Sequence, residues 1–306
     1  MIKDFINIGD FSASQIRGLL NQAAKDKSAF RAGKLPASLP NKTLAMIFEK
    51  PSLRTRVSFE VAMSQLGGHA LYLTQSDIGL GKREAVKDIA RVLGRMCDAI
   101  MARTFSHQLV VELAQNSSAP VVNALTDYSH PCQAMADLMT AGEIFGNLAG
   151  RTLVFIGDGN NVARSLATAC SLLGMNFILT APAGYELEES FAKTLPNPDS
   201  YKLVRRPGEA VASADIVYTD TWISMGHEDE RNERLKVFAG YQINTALLRN
   251  APASAVVMHC LPAYRGMEIT DEAFEAHADT IMEQAENRLH FQRTLLNILI
   301  GKGGIA

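Results

Sequence analysis

Short apolar runs alternate with amphipathic stretches along most of the chain, and this alternation predicts its elements. Ser12 or Ser14 caps a first helix whose apolar positions run through Leu19 and Leu20. Thr43-Leu-Ala-Met-Ile-Phe48 then reads as a short buried strand. It leads through the Pro51 turn into a helix over about 54–66, which Gly67-Gly68 ends. A second strand covers 69–74, a polar glycine-containing loop 75–84, and a helix follows to about Met96. Residues 99–102 and 121–124 are apolar strands with a helical stretch, 108–115, between them. Residues 130–146 are helical, with Pro131 in the first turn, where a missing N–H is tolerated.

Asn147-Leu-Ala-Gly150 interrupts the pattern, and strand-helix alternation restarts at Arg151. A strand at 152–156, a glycine turn, a helix at 162–173 and a strand at 177–180 come first. Later strands are expected at 201–204, 216–219, 256–258 and 280–282, with helices such as 207–214 and 270–278 between them. Residues 286–300 form a long amphipathic helix. Strands alternating with helices imply parallel sheets and crossover helices. The expected class is therefore α/β with two domains, 1–146 and 147–285, each a mainly parallel sheet flanked by helices.

Composition narrows the function classes. A chain of 306 residues suits two domains of about 150 each. A formal charge of −2 provides no basic field for nucleic acid, so any cationic chemistry is local. The first twenty residues carry early acids and no long apolar run, unlike a signal peptide, and no run of about 18 apolar residues suggests a membrane span. Cys97, Cys132, Cys170 and Cys260 are scattered and never form a CxxC pair, which argues against a disulfide framework or a zinc site. Reduced thiols in a cytoplasmic protein are the reading for the first three, while Cys260 stands apart in His259-Cys260-Leu261-Pro262.

Candidate chemistry sits at the ends of the apolar runs. Ser52-Leu53-Arg54-Thr55-Arg56 stands at a strand-to-helix junction. Backbone N–H groups, two hydroxyls and an arginine there make a phosphate site; a capped helix start with solvated arginines is the other reading. Arg103 ends the strand 99–102, where open parallel sheets bind ligands, though taken alone it reads as a solvated surface arginine. His130-Pro131-Cys132-Gln133 opens the next helix, and a histidine with an amide can serve the oxygen and amine of a carbamoyl group, or simply cap the helix.

Gly157-Asp158-Gly159-Asn160-Asn161 resembles a dinucleotide turn, but Val162 holds the third glycine position and strand 177–180 ends in Ala181-Pro182, without an acid for a ribose. The paired asparagines suit a small polar ligand such as an amino acid. A P-loop is absent, because Gly81-Lys82 is followed by Arg83. Asp220-Thr-Trp-Ile-Ser224-Met225-Gly226 offers a carboxylate at a strand end for a cationic amine, or is an ordinary turn. His259-Cys260-Leu261-Pro262 offers a thiol as proton relay, or a buried inert cysteine. Arg288 adds a further positive charge against phosphate, or a helix-surface ion pair.

Together, FEKPSLRTRVSFE, DIARVLGRMCDAIMART, HPCQAMADLMT, GDGNNVARS, DTWISMG, HCLPAYRG and AENRLH resemble the ornithine carbamoyltransferase family, in the right order and over nearly the whole chain. The resemblance implies that the last helix, about 286–303, packs back on the first domain. It implies that Ser52, Leu53 (through its N–H), Arg54 and Thr55 bind the phosphate of carbamoyl phosphate, with Arg288 returning from the last helix. Arg103 and His130 would polarise the carbamoyl oxygen; Gln133 and the carbonyls of Cys260 and Leu261 would hold its amine. Asn161, Asp220, Ser224 and Met225 would hold L-ornithine, and catalysis would rest on Arg54, Arg103, His130, Asp220 and Cys260. The family implies homotrimers with sites between subunits, and no metal or organic cofactor.

Two departures stand out. Leu53 replaces the second residue of the usual S-T-R-T-R, and Gly79 begins Gly79-Leu-Gly-Lys82-Arg83-Glu84 where the family commonly has the glutamine of Q-L-G. Lys82 or Arg83 is expected to supply the neighbouring subunit's contact instead. Aspartate carbamoyltransferase is the nearest rival, but Cys260 in place of proline and the acidic Asp220 favour a cationic acceptor. Putrescine or N-acetylornithine as acceptor, and a non-catalytic ligand-binding relative, are the remaining rivals.

Overall fold

The computed structural model describes residues 2–79, 84–223 and 228–301. In chain order its first elements are α1 (Ala13–Arg31), β1 (Thr43–Phe48), α2 (Leu53–Gln65), β2 (His69–Thr74), α3 (Gln75–Ile78), α4 (Val86–Met96), β3 (Ala99–Arg103), α5 (His107–Asn116), β4 (Val121–Leu125) and α6 (Pro131–Phe145). There follow β5 (Thr152–Ile156), α7 (Asn161–Leu173), β6 (Asn176–Thr180), α8 (Glu189–Ala192), β7 (Tyr201–Leu203), α9 (Pro207–Ala210) and β8 (Ile216–Thr219). The last are α10 (Arg231–Val237), α11 (Thr245–Leu248), β9 (Val256–His259), α12 (Asp271–Glu275) and α13 (Ala278–Ile300). The chain divides into two compact units, Met1–Met139 with Glu286–Ala306, and Thr140–Ala285, so the divisions fall inside α6 and α13.

The first unit holds a parallel sheet in the order β2-β1-β3-β4. Between their ends its central strands are apolar because both faces are covered: Leu44, Met46 and Met101 are buried on one, and on the other Ala45, Ile47, Ile100 and Ala102 pack with Ile89 of α4 and Val110 and Leu113 of α5. Each isoleucine, valine or leucine among them contributes about 1.5–3 kcal/mol by leaving water. From β1 the chain crosses to β2 on one side, and β3 lies on the other, with Phe48 opposite Arg103. Connections that diverge in this way leave a crevice at the carboxyl ends of the strands. Ser52 caps α2 there, its Oγ accepting the Thr55 N–H at 3.3 Å.

The last stretch of α13 belongs to this unit, as the resemblance implies. Lys27 donates to Asn287 at 2.7 Å, Arg293 to Gln65 at 2.6 Å and Thr294 to Asp26 at 2.6 Å, while Phe291, Leu295 and Leu296 are buried.

The second unit repeats the plan with the order β7-β6-β5-β8-β9, all parallel. Its divergence lies between β5 and β8, and the register sets Thr219 opposite both Ile156 and His259. The segments after β5, β8 and β9 therefore emerge side by side. Asn160 caps α7 by accepting from Val162 and Ala163 at 3.0 and 3.1 Å, and Gly174 closes it in the left-handed region. Glycine at 159 has a packing cause, since a Cβ there would lie 2.5 Å from Leu187 N.

Two local expectations are corrected. Residues 280–282 are helical, not a strand: Ile281, Gln284, Asn287 and Arg288 are buried at helical spacing while Met282 is half exposed. Gln75–Ile78 forms a helical turn within the expected loop, because Asp77 accepts the N–H and hydroxyl of Thr74 at its start. Among the described residues, no helix is long and apolar enough to cross a membrane.

Candidate active site

In the first unit, α2, β3, α6 and α13 bring residues distant in sequence to one hydroxyl. Thr55 Oγ1, buried in the first turn of α2, receives hydrogen bonds from Ser52 Oγ (3.0 Å), Arg288 Nη2 (3.1 Å) and Arg103 Nη1 (3.5 Å). Arg288 also donates to Gln133 Oε1 at 2.7 Å and to Gln292 Oε1 at 3.1 Å. Gln133 in turn donates to Asp137 at 2.8 Å, which fixes its amide with the oxygen toward Arg288. Arg103 is 6% exposed, and its buried Nε has no hydrogen-bond partner among the described residues.

The Arg103 guanidinium has two others, Arg288 and Arg54, close by. Burial first, then the positive charges of Arg288 and Arg54, pull the Arg103 guanidinium down from its ordinary value. Burial, then Arg288, Arg103 and Arg54, hold His130 well below the usual histidine range, so it is neutral at neutral pH and can offer an N–H without adding charge. Three repelling cations, two of them buried, gain most from a compact anion, and a dianion relieves the repulsion. Nearby Cys132 plays no acidic part: burial pushes its thiol up to about 12, and its Sγ donates to the Asn123 carbonyl at 3.4 Å.

The second unit gathers an acidic counterpart. Asp220, directly after β8, accepts from the Cys260 thiol at 2.9 Å and the Thr221 N–H at 2.7 Å through Oδ1, and from Asn160 Nδ2 at 2.8 Å through Oδ2. Cys260 follows β9, and Leu261 beside it adopts φ 59° before a cis bond to Pro262. A carboxylate braced by an amide, beside a thiol, can receive an amine and pass a proton.

The sequence-derived residues thus fall into two groups. Ser52, Arg54, Thr55, Arg103, His130, Gln133 and Arg288 cluster in the first unit; Asp220 and Cys260 touch in the second, with Leu261 next to Cys260 and Asn161 at the first position of α7. Leu53 turns its side chain outward, 76% exposed. Lys82, Arg83, Ser224 and Met225 lie outside the described residues. Of the paired asparagines, the resemblance singled out Asn161; the structure also joins Asn160 to Asp220, a contact for which its position before a helix was the available signal.

Arg234 also escaped the sequence reading. Buried beneath the turn after β8, it donates to Asp158 (2.7 Å), to the Trp222 carbonyl (3.0 Å) and to Glu230 (2.7 Å). Among the described residues, no group of three or more His, Cys, Asp or Glu side chains is placed to hold a metal ion.

A family model for the aspartate/ornithine carbamoyltransferase carbamoyl-P binding domain matches residues 3–143, and one for the Asp/Orn binding domain matches residues 149–299. The chain belongs to the aspartate/ornithine carbamoyltransferase family. It is 48% identical over 303 residues to the ornithine carbamoyltransferase of Anoxybacillus flavithermus, covering 97% of this chain and 96% of the relative. The anabolic ornithine carbamoyltransferase of Pyrococcus furiosus is 46% identical, with 98% and 96% covered. A solved ornithine carbamoyltransferase from Pyrococcus furiosus superposes with a TM-score of 0.94 at 45% identity, covering 99% of this chain and 98% of that one. An anabolic form from Campylobacter jejuni gives 0.91 at 39% identity, with 97% and 99% covered.

Proposed function

We propose that this chain is an ornithine carbamoyltransferase, transferring the carbamoyl group of carbamoyl phosphate to the δ-amine of L-ornithine to give L-citrulline and phosphate. The observation that carries this reading is the meeting of Arg103 and Arg288 on Thr55 beside a neutral His130, a cage for a small dianion with one uncharged donor. Ser52, Arg54, Thr55, Arg288 and the Leu53 N–H bind the phosphate. Arg103 and His130 face the carbamoyl oxygen and stabilise the oxyanion of the tetrahedral intermediate, a contribution of about 3–4 kcal/mol per well-placed donor. Gln133 and the carbonyls of Cys260 and Leu261 orient the carbamoyl amine.

Asp220, Asn161, Ser224 and Met225 take ornithine. The acceptor arrives as an ammonium ion, and one proton must leave it before attack; the Cys260–Asp220 pair is the route. Attack forms the C–N bond, collapse breaks the C–O bond to phosphate, and the second proton leaves with hydrogen phosphate. These steps are complete without a metal or organic cofactor. Asp220 is also what selects the acceptor, since a carboxylate braced by Asn160 attracts an amine and repels the acid of aspartate.

The working form is a homotrimer in the cytoplasm. Leu53 and Val57, apolar and exposed on α2 beside the phosphate residues, support a covering subunit, and four free cysteines suit a reducing compartment. An acceptor panel tests the activity. With carbamoyl phosphate, ornithine should yield citrulline and stoichiometric phosphate, while aspartate, putrescine and N-acetylornithine stay near background. Equal turnover of another acceptor would reassign the substrate, and phosphate release with none would leave a ligand-binding relative.

A further inference from the structure

The turn after β9 is held in a costly conformation by side chains that are not among the substrate-binding residues named above. Leu261 lies in the left-handed region at φ 59°, which a branched side chain rarely adopts unless its surroundings enforce it. The enforcing contact is His259. Its Nδ1 accepts the Leu261 N–H at 2.8 Å, and its Nε2 lies 3.2 Å from Glu268 Oε1. An N–H on one side and a carboxylate on the other leave a single arrangement: Nδ1 unprotonated and Nε2 bearing the proton. The backbone N–H of His259 is fixed independently, donating to Gln284 Oε1 at 2.9 Å, and Gln284 donates to the Tyr218 hydroxyl at 3.2 Å.

Glu268 is itself over-determined. It is fully buried, its Oε1 also accepts the Tyr264 N–H, and its backbone carbonyl accepts the Ile243 N–H at 2.8 Å. Its other oxygen, Oε2, is buried with no hydrogen-bond partner among the described residues. A buried carboxylate incompletely served is an expensive way to fill a core, and apolar residues of like volume would fill it more cheaply. Its use is to hold one tautomer and one ring orientation of His259.

We propose that His259 and Glu268 are positioning residues for the carbamoyl-transfer reaction, fixing the Cys260–Leu261 turn so that the thiol meets Asp220 and the two carbonyls keep one direction. The inference rests on the function proposed above. Neither side chain touches a substrate in this scheme; both act through the turn. Loss of the Nδ1 acceptor leaves the part-buried Leu261 N–H without its partner, and the turn relaxes out of its left-handed conformation. Misplacement of about 1 Å at a reacting group costs about 100-fold in rate.

The test pairs two substitutions that divide the ring between them. His259→Asn sets an amide oxygen where Nδ1 stands, keeping an acceptor for Leu261; His259→Gln reaches toward Glu268 and leaves Leu261 without one. In the intact enzyme, His259→Gln should lower kcat about 100-fold with KM for ornithine within about 3-fold, while His259→Asn recovers most of that loss, to within about 10-fold of wild type. Alkylation of Cys260 by iodoacetamide, read by peptide mass, should quicken several-fold in His259→Gln and much less in His259→Asn. If His259→Gln does not fold, Glu268→Gln stands in: it weakens the anchor of Nε2 and should lower kcat about 10-fold at unchanged KM.

Equal losses in the Asn and Gln variants, or wild-type kcat and alkylation in folded His259→Gln or Glu268→Gln, would overturn the assignment. A wild-type enzyme that makes no citrulline would instead remove the proposed function, while the alkylation rates still judge the turn.

Discussion

Thr55 Oγ1 has three donors aimed at it, two of them guanidinium groups, and a hydroxyl cannot satisfy that much positive charge. It acts as a spacer that keeps Arg103 and Arg288 converged. Thr55→Val preserves shape and removes the acceptor. Loss of hydrogen bonds to charged groups costs about 1.5–3 kcal/mol, so KM for carbamoyl phosphate should rise about 10–100-fold with a smaller change in kcat. Arg103→Ala should do the opposite, lowering kcat about 100–1,000-fold, because its contact matters most when the oxyanion forms. Steady-state kinetics on both variants separates the roles, and an unchanged KM in Thr55→Val would refute the spacer. The residue types at these positions were legible in the sequence, but their meeting was not. Thr55 and Arg288 are 233 positions apart, and no local periodicity reports a contact over that distance. Only the ordered set of motifs suggested it.

At the level of elements, what could be read was what burial dictates. Strands covered on both faces must be continuous apolar runs, so β1, β3, β5 and β8 announced themselves. Residues 280–282 failed the same rule, because a run as short as Thr-Ile-Met fits a helix face as well as a strand, and the deciding pattern lay in the polar residues beyond them. Asn160 shows how an element end serves a site. Its oxygen caps α7 while its NH2 group braces Asp220. Asn160→Ala should cost about 1 kcal/mol in urea unfolding and also lower activity. Asn160→Asp keeps the cap but sets a carboxylate against Asp220, so activity should fall with little loss of cap stability. Parallel losses of activity and stability in both variants would mean that the cap is the whole of its role.

For the molecule as a whole, burial holds four histidines, His107, His130, His277 and His290, below their ordinary range. The unfolded chain takes up protons near pH 6.5 that the folded chain refuses, so their contribution is complete above about pH 6.5 and is lost as pH falls below it. The urea midpoint should therefore drop between pH 7.5 and 5.5, and drop less in His130→Asn; an identical fall in both proteins would exclude His130 from the effect. One consequence of the topology concerns synthesis. Arg54, Arg103 and His130 are already made when β4 and the start of α6 leave the ribosome, yet Arg288 arrives only after the whole second unit has been translated. A nascent chain thus carries an anion cage missing one wall, and tight capture of the donor becomes a mark that translation has passed residue 288.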